Sequence, residues 1–156
     1  MSDAYVAGLT LLARRELSEA QLRARLARRK FEEEAIDAAV ARLQREGALD
    51  DRRTAIACAR TEAHLKRHGR LRAVRAVEAL GIARSLARTA VAEAFADLDE
   101  DALLVQAIER RLRRETGMPT AAAVRRLHRY LLAQGFEAAR VTAAIRDRFK
   151  TVPYDD

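Results

Sequence analysis

Three stretches of this chain share one apolar spacing, and that recurrence limits the available folds more than anything else in the sequence. LARRKFEEEAIDAAV, EALGIARSLARTAV and LAQGFEAARVTAAI align on Phe31, Ile82 and Phe136. Five residues further on stand Ile36, Ala87 and Val141, and nine further on stand Val40, Val91 and Ile145. The anchors are 51 and 54 residues apart. Apolar residues four apart lie on one face of a helix, and a period of about 50 residues is the mark of a stacked array of small units.

Each unit reads as three helices. Ala, Arg, Leu and Glu dominate, all good helix formers, and no stretch reads as a strand. In residues 1–49, Tyr5, Leu9 and Leu12 form a first apolar stripe. Ser18 opens a second helix with Gln21 placed to complete a capping box, and Leu22 and Leu26 form its buried side. Glu32, Glu33 and Glu34 favour the start of a third helix, striped by Ile36, Val40 and Leu43 and stopped at Gly47. Residues 50–98 open with an aspartate at the helix start. Their long first helix is expected to run to about Arg67 and end at Gly69, the second to Leu80 with Gly81 as its stop, and the third from Ala83 to Ala96. In residues 99–150, Leu104, Ile108 and Leu112 are spaced four apart, and Gly117 is expected to close that helix. Pro119 precedes the next helix, where Leu127 and Leu131 face inward and Gly135 is the stop. Val141, Ile145 and Phe149 stripe the last helix, and 151–156 reads as a frayed tail. Three short helices bury little alone, so the fold expected is all-α: three tandem three-helix repeats sharing a core in an elongated, curved body.

The adjacent Asp50 and Asp51 invite a catalytic or metal reading. Their neighbours Arg52 and Arg53 neutralise rather than activate, and adjacent side chains diverge on a helix, so capping is the favoured role. His64 and His68 have a spacing that can serve one metal, but a zinc site needs three or four protein ligands and Cys58 is out of step with them. His128 borders an apolar stripe and reads as a packed histidine. No nucleotide-binding, metalloprotease or serine-hydrolase motif is present, so an enzyme is the least favoured class, with no cofactor or metal.

Charge is more informative. Thirty basic residues oppose 23 acidic, a net +7, and lysine occurs only at Lys30, Lys66 and Lys150. Guanidinium groups pair with phosphate and carboxylate through two hydrogen bonds at once. Residues 50–98 carry +4, against +1 for 1–49 and +2 for 99–156. Candidate contact residues are Lys66, Arg67, Arg70, Arg72 and Arg75, then Arg110, Arg111, Arg113 and Arg114, then Arg125, Arg126 and Arg129; a further cluster is Arg28, Arg29 and Lys30. The competing reading of any one cluster is a solvated helix face. Phosphate contacts of this kind are indifferent to sequence and sensitive to salt. No apolar run approaches a membrane span of roughly 20 residues, the N-terminus lacks a basic secretion signal, and one cysteine fits a cytoplasmic protein.

ARRELSEAQLRARLARRKF, an acidic helix start, and then LQREGALDDRRTA together resemble the RecX family of bacterial regulatory proteins. The resemblance continues through HGRLRAVRAVEALGI and, more weakly, RYLLAQGFEAARVTAAI. It implies three tandem three-helix repeats and a non-enzymatic protein, expected as a monomer. It also implies binding to the RecA recombinase filament on single-stranded DNA, in the filament groove, with reduced ATP hydrolysis and strand exchange. The alternative is a helical nucleic-acid-binding protein with no RecA partner, or an adaptor for another acidic protein. Two positions depart from the family pattern. Thr54 stands where an aromatic is usual. Lys30, the counterpart of Gly81 and Gly135, stands where glycine is usual, at a cost of about 1 kcal/mol if that turn is left-handed.

Overall fold

The computed structural model describes residues 3–150. The tail at 151–156 lies outside the described residues. Within them the chain forms nine α-helices, one π-helical turn and no strand. The first repeat holds α1 (Ala4–Arg14), α2 (Glu19–Arg28) and α3 (Glu33–Arg45). The second holds α4 (Asp51–Arg60), the π turn (Thr61–Leu65), α5 (Arg70–Glu78) and α6 (Arg84–Phe95). The third holds α7 (Glu100–Leu112), α8 (Ala121–Ala133) and α9 (Ala138–Arg148).

The shared core expected from the sequence is absent among the described residues. Three cores form instead. Leu11, Leu17, Leu22, Leu26, Ile36, Val40, Leu43 and Leu49 pack in the first. Ala55, Ala59, Val77, Ile82, Val91 and Phe95 anchor the second, and Leu104, Ile108, Leu127, Leu131, Phe136, Val141, Ile145 and Phe149 the third. Each helix presents a narrow apolar stripe, and the two partners within its own repeat cover it. What remains at the junctions is mostly helix ends, whose backbone groups need hydrogen-bond partners rather than apolar ones.

The α1 stripe is also rotated from the one expected. Ala4, Ala7, Gly8 and Leu11 face inward, while Leu9 is exposed and Tyr5 and Leu12 only flank the core. Small residues win this face because large ones fill it from across: a Cβ on Gly8 would lie 2.8 Å from Leu43 Cδ1. Tyr5 is held at the edge by the Arg42 guanidinium, 3.7 Å above its ring, and by a hydrogen bond to Glu46.

Both junctions use one device. In the first, Ser18, which also completes its capping box with Gln21, donates its hydroxyl to the Leu80 carbonyl just past α5. In the second, the Gly69 N–H donates to the Gln134 carbonyl (2.8 Å) and the Leu71 N–H to the Gly135 carbonyl (3.0 Å). The C-terminal end of α8 therefore abuts the start of α5, and that of α5 abuts the start of α2. The negative end of one helix dipole meets the positive end of the next.

This device explains two glycines and one lysine. Gly69 does not end the long helix. Its φ is −76°, and it caps α5 at the N-terminus, where a Cβ would sit 2.5 Å from the Gly135 oxygen and the Phe136 nitrogen. Gly81 is left-handed (φ 83°), and a Cβ there would sit 2.5 Å from the Ala20 Cβ of the first repeat. Lys30 is likewise left-handed (φ 68°), but it is exposed at the outer end of α2, so it carries only the backbone cost.

The expected continuous helix from Asp51 to Arg67 is interrupted. The Lys66 N–H reaches back five residues to the Thr61 carbonyl, and Arg67 turns the chain with φ 56°. In an unbroken α-helix Lys66 would stand seven residues after Ala59 and four after Glu62, on the side that buries Ala55, Ala59, Glu62 and Ala63. The extra residue of the π turn rotates the lysine off that side. Gly117, expected to close α7, lies in the loop beyond it; α7 ends at Leu112 with Arg113 as its C-cap.

Candidate nucleic-acid interface

The loop after the π turn and the inner face of α5 meet the end of α8 across a cleft of about 570 Å³. Lys66, His68, Arg72, Arg75 and Ala76 line it from the second repeat and Ala133 from the third. The cleft exists because Gly69 and Gly135 allow two backbones to meet beside it. Arg72 reaches across, its Nη1 3.5 Å from the Ala133 carbonyl.

Glu62 sits at the base of the cleft, 3% exposed. Lys66 Nζ donates to one of its oxygens at 2.8 Å, and His68 Nδ1 holds the other. Burial pushes this carboxyl's pKa up, but the two hydrogen bonds and the charges behind them outweigh it, and the net shift is downward. Lys66 is raised by the same bond. The lysine side chain is more than half exposed, so the pair leaves a cation at the cleft. Cys58 is half-buried, and burial together with the Glu62 charge raises its thiol pKa, which disfavours a nucleophilic thiolate.

The structure sorts the twelve candidate cations. Lys66, Arg72 and Arg75 meet in the cleft, and Arg75 has no ion-pair partner among the described residues. Arg67 is exposed on the left-handed turn, also unpaired among them. Arg70 turns away from the cleft: it makes two hydrogen bonds to Glu100, at 3.3 and 3.1 Å, and its guanidinium lies 5.6 Å from the Phe95 ring centre. On α8, Arg126 and Arg129 precede Ala133 by seven and four residues, which places them on the face that reaches the cleft. Both are exposed, though Ala133 alone of α8 lines the cleft itself. Arg125 is exposed on a neighbouring face of α8. Arg111 stacks over the Tyr130 ring at 4.6 Å. Arg110, Arg113 and Arg114 are exposed at the end of α7 and beyond it. Arg28, Arg29 and Lys30 cluster at the outer end of α2, apart from the cleft.

The paired aspartates divide their work. Asp50 caps α4 through the Arg53 N–H, and Asp51 accepts the N–H of Glu19 at 2.8 Å, across the first junction. Thr54 is buried beside them and donates its hydroxyl to Glu16 at 3.2 Å, with Arg53 on the same carboxylate at 2.6 Å. A polar bridge thus stands at the position where the family pattern has an aromatic. His64 is exposed, and among the described residues no group of three or more His, Cys, Asp or Glu is placed to hold a metal. No helix among them is long and apolar enough to cross a membrane.

Sequence reasoning missed Glu62 and Glu100. The signal for Glu62 was present, since it stands four residues before Lys66 within a basic stretch. Glu100 gave no local signal, because its partner lies 30 residues earlier.

Comparison with known proteins agrees with this architecture. Residues 4–43 match the family model described as RecX, first three-helix domain. The chain is 30% identical over 138 residues to the Regulatory protein RecX of Pelodictyon phaeoclathratiforme, spanning 88% of this chain and 84% of that protein. The crystal structure of RecX from Lactobacillus salivarius superposes with a TM-score of 0.82 at 17% identity, over 92% of this chain and 93% of that one. A second crystal structure, of a regulatory protein RecX, gives 0.77 at 19% identity over 92% and 70%.

Proposed function

Because this chain belongs to the RecX family of regulatory proteins, we propose that it binds the RecA filament on single-stranded DNA and inhibits ATP hydrolysis and strand exchange. It would act as a cytoplasmic, non-enzymatic monomer, with residues 1–49, 50–98 and 99–150 as its working units. The observation that carries this reading is the positively lined cleft between the second and third repeats. Lys66, Arg72 and Arg75 line it from the second repeat, and the exposed Arg126 and Arg129 lie two turns and one turn before Ala133 on α8. Cations grouped along one cleft and continued on the neighbouring helix suit a phosphate backbone laid along them. The exposed cations at the end of α7 remain for acidic side chains of the protein partner or for further phosphates.

The test is RecA ATP hydrolysis on single-stranded DNA with the protein added at micromolar concentration. A fall in rate is expected. No change, with no binding to the filament, overturns the proposal. The rival reading, a sequence-indifferent nucleic-acid binder without a RecA partner, uses the same cleft. It predicts DNA binding that RecA neither strengthens nor requires.

A further inference from the structure

Four consecutive residues, Gly69 to Arg72, all engage the third repeat. Gly69 and Leu71 donate backbone N–H groups to the end of α8, and Arg72 reaches the Ala133 carbonyl. Arg70 points the other way, to Glu100 at the start of α7. Glu100 is itself largely buried (side chain 14% exposed), and Arg140 of α9 approaches the same oxygen at 3.9 Å while bonding Asp101 at 2.8 Å. One carboxylate of the third repeat is thus gripped by an arginine from each side of the junction. Among the described residues no apolar core crosses that junction, so few other groups resist rotation of α8 about the α5 start.

We propose that Glu100 is the positioning residue of the cleft: by holding Arg70 it fixes the third repeat so that the end of α8 stays against Arg72 and closes one side of the cleft. The inference rests on the reading of the cleft as a phosphate-binding surface, and it adds the residue that sets the cleft's width. Its consequence has a sign that distinguishes it from simple electrostatics. Removing a negative charge from a basic protein strengthens its attraction to a polyanion. Removing the clasp separates the two walls and weakens binding.

The test uses the full chain and a fluorescent single-stranded oligonucleotide titrated at several salt concentrations. Glu100→Gln is expected to bind about three- to tenfold more weakly, a loss of roughly 1 kcal/mol in affinity, and with a shallower salt dependence because fewer phosphates are held at once. Glu100→Asp keeps the charge and is expected to recover part of the loss. Glu115→Gln, an exposed carboxylate outside the clasp, is expected to bind as tightly as the unmodified chain or more so. Spin labels at Ala92→Cys and Ala122→Cys in a Cys58→Ala background measure the junction directly; Glu100→Gln is expected to broaden their distance distribution. Unchanged or tighter DNA binding by Glu100→Gln, or an unchanged distance distribution, overturns the inference. If the unmodified chain binds no oligonucleotide, the reading of the cleft falls, and the distance distribution still decides the clasp by itself.

Discussion

The Asp51 carboxylate of the second repeat accepts the backbone N–H of Glu19, the first residue of α2 in the first repeat, at 2.8 Å. An aspartate one residue inside its own helix thus serves a helix in its neighbour. Asp50 meanwhile caps its own helix through the Arg53 N–H. Asp51→Ala is expected to cost about 1 kcal/mol, the usual worth of a helix cap, and to loosen the first junction. Thermal unfolding followed by circular dichroism measures the loss. Amide exchange at Glu19, faster in the variant, locates it.

Lys30 and Gly81 occupy the same left-handed turn position, with φ 68° and 83°. Lys30→Gly relieves strain without touching a neighbour and is expected to stabilise the first repeat by about 1 kcal/mol. Gly81→Lys adds both the strain and a collision with Ala20, and is expected to destabilise by more than that amount. Denaturant titration of the two variants gives both signs in one comparison.

Glu62 links the fold to pH. Its folded pKa lies below the ordinary 4.5, so the bonds from Lys66 and His68 stabilise the protein at neutral pH. That contribution is lost as pH falls below 4.5 through the folded value, where the carboxylate takes up its proton. Glu62→Gln is expected to flatten the acid side of a stability-against-pH curve, while lowering stability at pH 7. An acid limb of the same slope in the variant would assign the acid sensitivity to other carboxylates.

Exposed cations with no carboxylate partner among the described residues are the most readily available to a ligand. Alanine at Arg75, Arg126 or Arg129 is expected to weaken oligonucleotide binding equally for all sequences and to lower the salt slope by about one for each phosphate no longer neutralised. Arg52, held by Glu93 at 2.6 Å on α4, is the comparison, and its replacement is expected to change the slope little. Equal effects from Arg52 and Arg75 would show that bulk charge, not the cleft, attracts the strand.

The helix pattern is legible in the sequence because it is local. Spacing of Ile36, Val40 and Leu43, the Ser18–Gln21 box and the stops at Gly47, Gly81 and Gly135 all depend on residues within a turn or two. The failures are of another kind. Gly69 reads as a helix stop because glycine usually is one; its actual task, admitting Gly135, depends on a residue 66 positions away. The π turn is invisible because Thr61–Leu65 contains no helix breaker, and what it achieves, turning Lys66 off the side that buries Ala59 and Ala63, shows only once that side is packed. The division of the arginines is not legible either. Arg70 and Arg75 look alike in sequence, and only Glu100, brought in by the fold of the next repeat, separates them.

The separate cores bear on mechanics as well as stability. A body with one continuous core resists bending everywhere, because any bend opens packed apolar surface to water. Here each core is closed within its own repeat, and the junctions rest chiefly on helix ends, hydrogen bonds and ion pairs. Compliance is therefore concentrated at two points along the chain, between rigid blocks. Small rotations at those two points are expected to change the curvature of the chain without exposing any core.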